Sequence, residues 1–188
     1  MRVFIAIELS ESIKDDLSQI QSHLKYSGAD VKWVDRNNIH LTLKFLGETS
    51  EEKIPYIKKT LDRLGELFDP FEISLKNAGA FPNIESPSVL WVGLDKGSKE
   101  STKLAVQIDE ELSKIGLNKE SRPFGAHLTI GRVRSAKNKT ALADKLSAVI
   151  IPFSTNHLSV TSIVLLQSTL TTSGPIYTKL HETRLKQA

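Results

Sequence analysis

The chain has 188 residues, 39% of them hydrophobic and 25% charged, and no cysteine. That describes an ordinary globular domain long enough to bury a sizeable core. It excludes disulfides, thiolate zinc sites and cysteine nucleophiles. No apolar run approaches the roughly 20 residues needed to cross a bilayer, and a net charge of +3 with a pI near 9.0 suits a polyanionic ligand without forming a basic arm.

The opening run Arg2–Leu9 reads as a strand and not as a signal peptide, because Glu8 interrupts it and no small-residue cleavage site follows. Ser10 is a helix N-cap with Glu11 in the first turn. Ile13, Leu17, Ile20 and Leu24 then give residues 11–26 an amphipathic stripe. A short strand at 31–34 and a turn at 35–38 follow. The next strand runs from about Ile39 to Leu46 and ends at Gly47. Thr49 or Ser50 caps a helix whose apolar side is Ile54, Ile57, Leu61 and Leu64. Asp69-Pro70 breaks the chain before a strand at 71–75. Residues 79–88 contain Pro82 and Pro87 and read as a loop joining two halves.

The second half starts with a strand at 89–94 and a helix from Ser98 to about Ile115, stopped by Gly116. A strand at 126–133, a helix from Lys137 to about Val149, and strands at 153–159, 162–170 and 176–185 complete the chain. The order strand, helix, strand, helix, strand therefore occurs twice. The expected architecture is α+β: one domain over 1–188, a two-lobed pseudo-symmetric duplication of halves at about 1–80 and 88–170. Antiparallel sheets are flanked by helices, with an active-site cleft between the lobes and a closing strand at 176–185.

At matching places in the two halves, 87 positions apart, stand His40-Leu41-Thr42-Leu43 and His127-Leu128-Thr129-Ile130. Side chains alternate in a strand, so each His-Thr pair faces one side and its apolar partners the other. Two imidazoles in one cleft can act as acid and base near neutral pH. A hydroxyl beside each can donate to a phosphate oxygen. A lone His-x-Thr carries little weight, since threonine favours strands anyway; the repetition is what points to chemistry. His23 and His157 lack this context and read as solvated or structural, and His181 could at most assist phosphate binding. No HExxH, His-x-His, GxxxxGK[ST], GxGxxG or GxSxG is present, so neither a metal nor a cofactor is expected.

The paired motifs, the run Trp33–Glu48, the run Pro123–Arg132 and Gly174–Leu180 resemble the two-histidine (2H) phosphoesterases, in their LigT-type branch of RNA 2′,3′-cyclic phosphodiesterases, also called 2′-5′ RNA ligases. The resemblance implies His40 and His127 as the catalytic pair and Thr42 and Thr129 as phosphate ligands. It implies hydrolysis of a terminal 2′,3′-cyclic phosphate on RNA to a 2′-phosphate, and ATP-independent joining of tRNA halves through a 2′-5′ bond. A cytoplasmic monomer is expected. The rivals are a cyclic phosphodiesterase for a small nucleotide, such as ADP-ribose 1″,2″-cyclic phosphate, and a non-catalytic RNA-binding module.

Phe45 and Arg132 each lie five residues after a motif histidine. Strict alternation turns both away from the cleft, which makes Phe45 a core residue ahead of a base-stacking one. Arg132 is either a surface ion-pair partner or a phosphate ligand. The second role needs a bulge, which Gly131 would permit. Tyr177 offers a ring for packing or for stacking on a nucleobase.

Overall fold

The computed structural model describes residues 1–149, 156–172 and 174–187. In chain order its elements are β1 (Arg2–Glu8), α1 (Glu11–Lys25), β2 (Val31–Trp33), β3 (His40–Glu48), α2 (Ile54–Gly65), β4 (Phe71–Ile73), β5 (Leu75–Phe81), β6 (Val89–Leu94), α3 (Ser98–Ser113), β7 (His127–Val133), α4 (Lys139–Ser147), β8 (Leu158–Val160), β9 (Ser162–Thr171) and β10 (Gly174–Arg184). The α+β duplication is present.

The helices follow their stripes. Ile13, Leu17 and Leu24 of α1 are buried, and the Ser10 hydroxyl accepts from Ile13 N at 3.4 Å. The cap expected for α2 is not made. Ser50 opens a single 3₁₀ turn at Glu51–Lys53, its side chain makes no capping bond, and the α-helix starts at Ile54 with Pro55 in its first turn. Pro55 lacks an N–H, so nothing is lost where donors are unpaired anyway.

Two departures concern strands. The loop expected at 79–88 starts later, because β5 continues through Phe81. Its Asn77-Ala78-Gly79-Ala80 run has weak strand propensity, and tertiary contact decides. The Trp91 ring lies flat on Gly79, where an added Cβ would sit 2.4 Å from a ring carbon. The strand expected at 153–159 falls mostly outside the described residues; its described part begins at Leu158 and continues to Val160.

The strands form one eight-stranded antiparallel sheet in the order β10-β9-β1-β3-β7-β6-β5, with β2 also on β7. Each lobe draws on both sequence halves. Strand β9 from the second half pairs with β1, and β5 from the first half pairs with β6. Helices α2 and α3 cover the β10-β9-β1-β3 lobe, while α1 and α4 cover the other.

Only one residue pair, Leu41 with Leu128, joins β3 to β7. These are equivalent positions in the two repeats. The small β4–β8 sheet is likewise centred on the equivalent pair Glu72 and Ser159. Both pairs therefore lie on the pseudo-twofold axis. Leu41 and Leu128 are fully buried in the main core beneath that axis.

Candidate active site

The Leu41–Leu128 pair places the motifs across from one another. In an antiparallel ladder through that pair, His40 falls opposite Thr129 and Thr42 opposite His127. The two histidines occupy diagonal positions, whose backbones lie about 7–8 Å apart. All four side chains are partly exposed, while Leu41, Leu43, Leu128 and Ile130 are buried on the opposite face.

Both imidazoles are held in the same way. His40 Nδ1 donates to Asn38 O at 2.8 Å, and His127 Nδ1 donates to Gly125 O at 2.7 Å. A carbonyl only accepts, so in each neutral ring the proton sits on Nδ1 and Nε2 carries a free lone pair. The carbonyl before His40 is itself braced, because Asn38 Nδ2 donates to Pro175 O on β10 at 3.0 Å.

The surroundings of the two rings differ. Phe4 (centroids 4.8 Å) and Tyr177 (5.3 Å, edge-on) enclose His40. His127 meets Phe81 edge-on at 5.1 Å. Phe4, Ala6, Val164 and Leu166 form a separate small apolar cluster with Tyr177 against it. Burial there holds the His40 pKa below its ordinary 6.5, against the opposing effect of the bond to Asn38. Folding thus favours the neutral ring. As pH falls below about 6.5, the unfolded chain takes up this proton first, and stability declines until the folded ring also titrates. Urea unfolding between pH 5 and 8 should show this slope in the wild type and a smaller one in His40→Gln; identical slopes would contradict it.

The fate of Phe45 and Arg132 turns on a bulge that occurs in both motif strands. Ile5 pairs with Lys44 and Ala6 with Thr42, leaving Leu43 as the extra residue. Leu90 pairs with Gly131 and Trp91 with Thr129, leaving Ile130 extra. Consecutive residues, Leu43-Lys44 and Ile130-Gly131, are therefore both buried. Beyond the bulge the alternation is inverted. Phe45 returns to the His40 side, next to Phe4 at 6.0 Å.

Phe45 is accordingly not core, as strict alternation implied; it is 61% exposed. Arg132 is exposed and forms no ion pair among the described residues. Its charge acts on the Tyr177 hydroxyl, whose pKa burial raises and Arg132 and Arg2 lower.

Each bulge is anchored differently. Ile130 O accepts from Val34 N at 3.0 Å and from Gln21 Nε2 at 2.9 Å. Gly131 leaves room there: a Cβ would meet Val31 Cγ1 at 2.8 Å. In β3 the equivalent position is Lys44, 3% exposed, whose Nζ reaches Asp109 Oδ1 at 2.5 Å and Asn118 O at 2.9 Å.

The remaining histidines stand apart. His23 and His157 are exposed. His181 Nε2 contacts Asp62 Oδ1 at 2.6 Å, an oxygen that also accepts from Thr183, so it is engaged with α2. Among the described residues, no three His, Cys, Asp or Glu side chains converge as a metal site. No described helix is long and apolar enough to cross a membrane.

Phe4, Phe81 and Asn38 were not evident from the chain alone. Phe4 and Phe81 come from strands outside the motifs and carry no pattern of their own. Asn38 could have been noticed as the residue two before a motif histidine, where the other repeat has Gly125.

Comparison with known proteins bears on the family and the fold. The profile described as LigT like phosphoesterase matches twice, over residues 7–91 and 92–177. An Archaeoglobus fulgidus protein named RNA 2′,3′-cyclic phosphodiesterase is 41% identical over 183 residues, covering 96% of this chain and 98% of that one. One of the same name from Methanothermobacter thermautotrophicus is 37% identical over 185 residues, covering 98% and 99%. A crystal structure of a Thermus thermophilus protein superposes with a TM-score of 0.83 at 27% identity, covering 99% and 98%. Two matching repeats that span both motifs, together with relatives alike from end to end, make this chain a member of the LigT-like phosphoesterase family.

Proposed function

We propose that this protein opens the 2′,3′-cyclic phosphate at the end of an RNA strand, leaving a 2′-phosphate, with His40 and His127 as the acid–base pair. The observation that carries the reading is the Leu41–Leu128 pair on the pseudo-dyad, which sets two identically tethered imidazoles around one point. One ring, neutral, takes a proton from water as its oxygen bonds to phosphorus. The other, protonated, delivers its proton to the 3′ oxygen as that bond to phosphorus breaks. Thr42 and Thr129 donate to the non-bridging oxygens, and Arg132 balances the charge that builds there. Both protons are accounted for by the two rings, so the step needs neither metal nor nucleotide triphosphate.

Tyr177 lies edge-on to His40, and Phe45 lies next to Phe4 on the same side of the sheet; both rings are available to the terminal base. The names of the near-identical-length relatives support RNA as the substrate. One chain supplies both halves of the site, which suits a monomer, and a cysteine-free chain suits the cytoplasm. The same displacement, with an RNA 5′ hydroxyl attacking phosphorus in place of water and the 3′ oxygen leaving as before, would join tRNA halves through a 2′-5′ bond at the same pair of rings.

A substrate panel tests the assignment. It comprises an oligoribonucleotide ending in a 2′,3′-cyclic phosphate, mononucleotide 2′,3′-cyclic phosphates, ADP-ribose 1″,2″-cyclic phosphate and paired tRNA halves. Turnover should be highest on the oligoribonucleotide, with the 2′-phosphate as product and no loss in EDTA. A 3′-phosphate product, or preference for the ADP-ribose derivative, would overturn it.

A further inference from the structure

We propose that Lys32, together with Arg132, holds the internucleotide phosphate preceding the reacting one, so that the protein selects a polynucleotide end over a mononucleotide. This rests on the reading of the site as an RNA cyclic phosphodiesterase and adds a second anion position beside it.

Strand β2 runs along β7 immediately past the bulge, and Lys32 is the direct cross-strand partner of Arg132. Cross-strand partners share a face of the sheet. The flanking residues Val31 and Trp33 turn the other way and pack on the main core. Lys32 therefore lies on the Arg132 side and is exposed. Two cations directly opposite one another in an antiparallel pair repel.

Neither is neutralised: no ion pair among the described residues includes Lys32 or Arg132. Asp30, which alternation places on the Lys32 side, makes none with either. The chain thus keeps an uncompensated cation pair at the mouth of the cleft, one strand spacing (about 5 Å) across from β7. An anion bridging the pair would turn that repulsion into attraction.

The chemistry of Lys32 fits a backbone phosphate. Its ammonium is a flexible point charge that grips a phosphate without reading a base. Arg132 stands between Lys32 and the His127–Thr129 pair on the same face, so it can serve the reacting phosphate on one side and its neighbour on the other. A mononucleotide 2′,3′-cyclic phosphate has only the reacting phosphate and leaves Lys32 unused.

The test compares wild type, Lys32→Ala, Lys32→Gln and Lys32→Arg. The ratio of kcat/KM for an oligoribonucleotide ending in a cyclic phosphate to that for the mononucleotide 2′,3′-cyclic phosphate should fall about fivefold in Lys32→Ala and Lys32→Gln. It should recover in Lys32→Arg. Independently, anisotropy of a labelled oligoribonucleotide ending in a 2′-phosphate should show a log K against log salt slope shallower by about 0.7 in the first two variants. Removal of the repulsion should leave the melting temperature equal or higher. An unchanged ratio or an unchanged slope overturns the proposal. Wild type that cleaves neither substrate defeats the phosphodiesterase reading instead, and the binding slope then decides on Lys32 alone.

Discussion

His40→Ala and His127→Ala should each lower the rate of cyclic-phosphate opening by roughly 10²–10⁴-fold. In the proposed mechanism each removes the imidazole that handles one of the two protons. Neither threonine can replace it, since a hydroxyl is a poor base and a poor acid near neutral pH. In the proposed mechanism the two rings act in one concerted displacement, so the double variant should be barely slower than the worse single one.

The fold should survive both changes. Among the described residues each ring makes a single hydrogen bond, to Asn38 O or Gly125 O, and both are partly open to solvent. His40→Ala should cost more stability than His127→Ala, because it leaves a gap against Phe4 and Tyr177. Circular dichroism with steady-state kinetics on the purified variants checks this. Near wild-type turnover in either single variant would end the two-histidine mechanism.

Asp109→Ala should destabilise the protein by about 3 kcal/mol, which corresponds to a fall in melting temperature of roughly 6–12 °C for a chain of this size. The Lys44 side chain is 2% exposed and that of Asp109 19% exposed. Without the carboxylate, the ammonium keeps Asn118 O as its one partner among the described residues and remains buried. Asp109 Oδ1 also accepts from Glu120 N, so the loop after α3 loses an anchor too.

Lys44→Met should be far milder. It removes the charge along with its partner's task and keeps the apolar stem that fills the space. The contrast bears on the proposed site, because Lys44 sits in the bulge beyond which Phe45 returns to the His40 side of the sheet. Thermal unfolding of the two variants, followed by differential scanning calorimetry, separates them. Equal losses would show that the ion pair is not what stabilises this bulge.

The order of elements was legible wherever one physical signal governed it. Apolar spacing located α1 and α2, and Ser10 marked a start that its hydroxyl does cap. Cap chemistry misled at Ser50, where a 3₁₀ turn intervenes before Pro55. The prolines misled at residues 79–81, where contact between Gly79 and Trp91 keeps the segment extended ahead of Pro82.

The motif residues were legible because repetition at equal spacing is hard to produce by chance. Their neighbours were harder to place. Phe45 follows from alternation only if the strand is regular, and one extra residue at Leu43 reverses its direction. Gly131 hinted at a bulge in β7, while Lys44 gave no such hint in β3, since nothing in a lysine announces a buried partner 65 residues away.

By itself, the amino-acid order determined the duplicated α+β plan, the helices and the two His-Thr pairs, because each of these is written in local periodicity or in repetition. Only the tertiary structure decided that β5 and β9 exchange lobes, that the repeats meet at Leu41 and Leu128, and that Phe45 shares a face with His40. Those outcomes depend on hydrogen-bond register and on buried contacts such as Lys44 with Asp109 and Gln21 with Ile130. Register and burial arise between segments far apart along the chain, and no pattern within one segment encodes them.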